Sequence, residues 1–96
     1  MSNGREQRIL LALQSLQPLQ MHLQNDSHKH IGHAGASDGR GHFSLFIVSS
    51  RFQGLTAVQR HKAIYGALAE LLQTDIHALA IEARTPDEAA GRAHKR

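Results

Sequence analysis

His42-Phe-Ser-Leu-Phe-Ile-Val-Ser49 is the segment that most restricts how this 96-residue chain can fold. Phe43, Leu45 and Ile47 alternate onto one side, Phe46 and Val48 onto the other. A strand that is apolar on both faces in its second half belongs in the middle of a sheet. The remaining elements arrange around it. Upstream, Leu19, Met21 and Leu23 alternate with Gln20, His22 and Gln24, the period of a half-exposed strand near an edge. Downstream, residues 75–84 return to strand, with Ile76, Ala78 and Ala80 predicted on one side and His77, Leu79 and Ile81 on the other.

Helical spacing appears in three places. Ile9, Leu10, Leu13 and Leu16 mark an amphipathic helix over 5–16, which Pro18 stops. After a short turn at 51–54, Thr56 with Gln59 forms a capping-box pattern and opens a helix running to about residue 73. Val58, Ile64, Tyr65, Leu68, Leu71 and Leu72 share its apolar face. His61 lies mid-face and is predicted to be a buried, hydrogen-bonded core histidine. Thr85-Pro-Asp-Glu88 starts the last helix with an N-cap, Pro at the first position and acids in the first turn. That helix is Ala-rich, and residues 93–96 are predicted to fray.

The order is helix, strand, strand, short turn, helix, strand, helix, or α-β-β-α-α-β-α with the turn counted as a helical element. A helix between two strands makes a crossover, right-handed if the strands are parallel. The expected fold is a single small α+β domain over 1–96: a three-stranded mixed sheet with helices on one face. Its motif-bearing core is placed at about 19–92.

Composition narrows the chemistry. At 41% hydrophobic and 20% charged, the sequence is that of an ordinary soluble globular domain. No run approaches the roughly 20 apolar residues of a membrane span. The start, MSNGREQR, holds no apolar core of a secretory signal, so the cytoplasm is the expected compartment. The absence of cysteine excludes disulfides, a thiol nucleophile and any self-contained Cys-ligated cluster. No nucleophile–base pair, Walker loop or dinucleotide motif is visible, so no enzyme is expected. Asp87 and Glu88 are explained by their place in a helix's first turn. The formal charge of +3 is only mildly basic.

Histidine is in excess, at eight. His28, His30 and His33 lie in a glycine-rich connection of roughly 17 residues, and His42 stands at its exit. Their spacing is not that of structural zinc. They read either as ligands on a loop or as solvated polar residues. His77, at a strand's start, is either a polar edge residue or a ligand. His42 is expected to cap the strand entrance and His22 to be solvated.

The ordered motifs resemble the BolA family over about residues 23–88. They are Asp26-Ser27-x-x-His30, His42-Phe43, Val48-Ser49-Ser50-Arg51-Phe52-x-Gly54, Arg60-His61-x-x-Ile64-Tyr65-x-x-Leu68-Ala69-Glu70, Ile76-His77-Ala78-Leu79-Ala80-Ile81 and Thr85-Pro86-x-Glu88. The resemblance implies a fold similar to the type II KH domain without its GxxG nucleic-acid loop. Gly32 and Gly35 are the only glycines at that spacing, and they lie among the loop histidines. It further implies a non-enzymatic adaptor that pairs with a monothiol glutaredoxin and shares a [2Fe–2S] cluster with it. This chain would supply only histidines, as on the histidine-ligated iron of Rieske centres, with thiolates from the glutaredoxin cysteine and glutathione. The family's ligands map onto His77 and, in the loop, onto His30, with His28 and His33 as alternates. The isolated protein is expected to be a cofactor-free monomer. Imidazole ligates when neutral, so cluster sharing should weaken as pH falls through about 6.5. Arg60 or Arg84 is expected at the rim of the contact.

The family is also described as transcriptional, so the alternative is a DNA-binding regulator using helix 56–73, with Arg51, Arg60 and Lys62 on phosphates. Arg60 and Lys62 sit about 160° apart on that helix, one on each flank of its apolar stripe. The face opposite the core carries Gln59, Ala63, Gly66 and Glu70, a poor reading surface. Such binding would be weak and salt-sensitive.

Overall fold

The structure, a computed structural model, describes residues 4–26 and 41–94. Helix α1 (Gly4–Ala12) continues as a 3-10 turn (Leu13–Leu16) into strand β1 (Gln20–Asn25). Strand β2 (Gly41–Val48) leads through a 3-10 turn (Ser50–Phe52) into α2 (Ala57–Ala67) and α3 (Ala69–Thr74). Strand β3 (Ile76–Arg84) and helix α4 (Pro86–His94) complete the described chain. The loop histidines His28, His30 and His33 lie outside the described residues.

β2 is central in a three-stranded sheet, antiparallel to β1 and parallel to β3. The physical reason is its composition, because Phe43, Leu45 and Ile47 are almost fully buried. They meet Ile9 and Leu13 of the first helical segment, Phe52, Ile64, Leu68 and Ile76 in one core cluster. Met21 and Leu23 of β1 and Leu79 and Ile81 of β3 pack against the same cluster. The helices therefore cover one sheet face. On the other, β1 presents His22 and Gln24, β2 presents His42, Ser44 and Phe46, and β3 presents Ala78, Ala80 and Glu82.

Both capping expectations are met. Thr56 Oγ1 accepts from the Gln59 N–H (3.1 Å), and Gln59 Oε1 accepts from the Thr56 N–H (2.9 Å). Thr85 and Glu88 repeat the reciprocal pair at α4. That helix spans Pro86–His94.

Five expectations need correction. The first helical segment tightens to 3-10 after Ala12 and ends at Gln17, whose φ is 52°; the residue before a proline is driven out of the right-handed helical region. Leu19 is 68% exposed: it precedes β1 and is not among the residues packed against the core. The long helix is broken at Leu68, whose N–H is shared between the Ile64 and Tyr65 carbonyls. Leu68 is fully buried, whereas Val58 (64% exposed) and Tyr65 (43%) stand on the margin of the apolar stripe. His61, predicted to be buried, is only half-buried. It lines a surface groove with Leu55, Arg60, Ala83, Arg84 and Glu88.

Ser49, which the sequence offered only as part of a motif, joins three elements. Its hydroxyl, fully buried, donates to the Leu16 carbonyl (2.6 Å) and accepts from the Arg51 N–H (3.1 Å). Its own N–H donates to the Arg84 carbonyl. Ser49→Ala removes the hydroxyl that links the Leu16 carbonyl to the Arg51 N–H and should cost about 1–3 kcal/mol by urea denaturation.

Candidate functional site: a histidine pair at one end of the sheet

His77 owes its position to an irregularity in the β2–β3 ladder. Gly41 pairs with Ile76 and His42 with Ala78, so His77 is an extra residue opposite no single partner position. A bulge of this kind re-aims a side chain and breaks the alternation of the strand. Ile76 is buried, His77 and Ala78 are both exposed, and the core side resumes at Leu79. The alternation expected from sequence, with Ile76 beside Ala78 and His77 beside Leu79, is thereby overturned. Ile76 shares the core side with Leu79 and Ile81, while His77 is released from it.

The bulge brings His77 against His42. Their ring centres are 5.0 Å apart and the planes are inclined by 49°. His42 was expected only to cap the strand entrance; it forms part of a pair instead. Nothing in sequence spacing could reveal this, because 34 intervening positions separate two residues that the parallel register makes neighbours.

The ground under the pair is firmly anchored. Asp75, two residues before His77, is 7% exposed. Its carboxylate is held by Arg8, with Nη2 at 3.0 Å and Nε donating at 3.1 Å, and more loosely by Arg5 at 3.6 Å. Its carbonyl accepts from the Gly41 N–H (2.9 Å), and its N–H donates to the Leu71 carbonyl (2.7 Å). Helix α1, the end of α3 and both strands thus meet just below the two imidazoles. Beside the pair the open face is low, since Ala78 and Ala80 carry only methyl groups. Further along, a shallow depression of about 390 Å³ is lined by His22, Gln24, Ser44, Phe46, Ala80 and Glu82. Among the described residues, no group of three or more His, Asp or Glu is gathered to hold a metal ion.

The residues considered for nucleic acid fare differently. Arg51 and Lys62 are exposed. Arg60 is committed to the fold: its side chain is 12% exposed and forms a fork with Glu88, at 2.7 and 3.0 Å. It also donates to the carbonyls of Leu55 (3.1 Å) and Ala83 (3.0 Å). A guanidinium so placed ties α2 to β3 and α4 and is withdrawn from phosphates or a contact rim. Arg84 pairs with Glu82 at 3.3 Å at the surface.

Glu88 records the same clamp in its acidity. Its carboxyl is lowered from 4.5 to about 2, first by the hydrogen bonds from Arg60 and then by the Thr85 N–H. A carboxylate depressed by folding stabilises the fold fully above its unfolded value and loses that contribution as the pH falls from about 5 towards 2. Glu88→Gln keeps a residue able to cap but removes the charge. Its denaturation midpoint should therefore vary less than that of the unmodified protein between pH 5 and pH 2.5.

These features define a small α+β domain with a three-stranded mixed sheet and a histidine pair at one end of it. Residues 13–88 match the family model described as BolA-like protein, and the chain belongs to that family. BolA-like protein 1 of Pongo abelii is 49% identical over 73 residues, covering 76% of this chain and 51% of the relative. The chloroplastic/mitochondrial SufE-like protein 1 of Arabidopsis thaliana is 42% identical over 78 residues, covering 76% of this chain and 21% of that protein. The chain thus spans about half the length, or less, of these curated relatives. Among solved structures, the BolA domain of SufE1 from Arabidopsis thaliana superposes with a TM-score of 0.77 at 40% identity, covering 88% of this chain and 95% of that one. Yeast Fra2 gives 0.63 at 25% identity, covering 100% and 94%. No described helix is long and apolar enough to cross a membrane.

Proposed function

We propose that this chain is a non-enzymatic adaptor that binds a monothiol glutaredoxin and lends histidine ligands to a bridging [2Fe–2S] cluster, in cluster trafficking or iron regulation. The observation that carries the reading is His77, which a bulge presents, exposed, on an anchored strand end. A partner offering a cluster meets a fixed imidazole beside a low, open sheet face. The donor chemistry suits the cargo. The chain has histidines and no cysteine, so it can complete only the nitrogen-ligated half of a cluster whose thiolates come from glutaredoxin and glutathione. The second ligand in this reading is His30, with His28 and His33 as alternates.

The test is visible circular dichroism of a glutathione-loaded [2Fe–2S] glutaredoxin titrated with this protein and with His77→Ala and His30→Ala. The reading expects a new cluster spectrum, saturating at one-to-one, that is lost with His77→Ala and altered with His30→Ala. Indifference to His30→Ala moves the second ligand to His28 or His33, and an unchanged wild-type spectrum refutes the reading.

A further inference from the structure

We infer that His42 and His77 together form a chelating site for a single divalent transition-metal ion in the chain on its own, with no partner bound. The spacing of the rings admits two imidazoles on one ion. With metal–nitrogen bonds of about 2.0–2.1 Å and ring centres about 1.1 Å beyond the nitrogen, angles of 90–109° at the metal put the two centres about 4.5–5.2 Å apart. The observed separation is 5.0 Å.

The rings are also preorganised. His42 stands in the central strand, and His77 follows directly on the segment tied down by Asp75. Little backbone ordering remains to oppose binding, which is the usual limit on a site with only two protein ligands. Neutral imidazole suits Zn²⁺, Ni²⁺ and Cu²⁺, with Cu²⁺ the tightest of the three. Remaining positions on the ion would be filled by water. If the proposed function holds, an ion bound here occupies His77 and keeps it from a cluster, so free zinc would oppose cluster sharing. The site itself does not depend on that reading.

The experiment uses Cu²⁺ as the probe on the isolated protein, with no glutaredoxin present. Electron paramagnetic resonance counts coordinated nitrogens, and competition with a chelator gives the affinity. Two imidazole nitrogens are expected. His42→Gln and His77→Gln should each leave one and weaken binding about tenfold or more. A chain carrying Gln at 28, 30 and 33 should keep both nitrogens and its affinity. Loss of the signal in that loop variant, or full retention in His42→Gln, overturns the inference. Should His42→Gln fail to fold, Zn²⁺ titration of the unmodified protein monitored by histidine ring NMR decides: shifts confined to His42 and His77 support the site, and their absence refutes it. Because no partner is used, a negative result here is distinct from failure of cluster sharing.

Discussion

His77→Ala is expected to abolish the interaction with a cluster-loaded glutaredoxin, weakening it at least tenfold, while leaving the fold intact. The two halves of this expectation have separate physical grounds. The side chain is exposed and stands off the core side of β3, so its removal takes nothing from the buried cluster. Exposed substitutions of this kind change stability by about 0.5 kcal/mol or less. In the proposed function, in contrast, it is a metal ligand, and loss of even a group supporting such a ligand typically costs 10- to 100-fold in affinity. Isothermal titration of the variant with the loaded partner, beside a urea curve of the variant alone, measures both. A variant that unfolds, or one that binds as the unmodified protein does, contradicts this assignment.

Phe52→Ala should have the opposite profile. Phe52 is fully buried and closes the core where β2 hands over to α2. Its backbone is pinned on both sides, with its N–H on the Ser49 carbonyl and its own carbonyl receiving the Leu55 N–H. Neighbouring side chains therefore collapse little into the space left behind. Truncation of a buried Phe costs about 3–5 kcal/mol. A domain of this size has in total about 5–14 kcal/mol. Thermal unfolding should move down by more than roughly 12 °C, with cluster sharing retained at temperatures where the variant stays folded. A shift of only a few degrees would mean that Phe52 is not a keystone of this core.

The contrast between these residues shows what the sequence made legible. β2 as a central strand, β1 as an edge, the capping box at Thr56, the N-cap at Thr85 and the crossover between strands all rest on local patterns: alternation, an N-cap with its partner three residues on, a proline stop. Phe52 could be read as motif but not as core, because a 3-10 turn gives no periodicity to follow. The bulge at His77 lay beyond local reading for a different reason. Alternation assumes an unbroken pleat, and the shift exists only where Gly41 and His42 meet β3 across the ladder. His42 was undervalued on the same account. Arg60 shows the converse error, since a cation on an amphipathic helix reads as surface charge until Glu88, 28 residues away, is seen to hold it. Candidate ligands were therefore found by residue type and motif, whereas their pairing came only from the strand register.

The most direct test of histidine co-ligation places the isotope in this chain alone. The protein is labelled with ¹⁵N-histidine, mixed with an unlabelled glutathione-loaded [2Fe–2S] glutaredoxin, reduced, and studied by pulsed electron paramagnetic resonance. The account predicts strong ¹⁵N couplings to the cluster that vanish in His77→Ala. A cluster signal free of ¹⁵N coupling, at concentrations where the complex is formed, would contradict it.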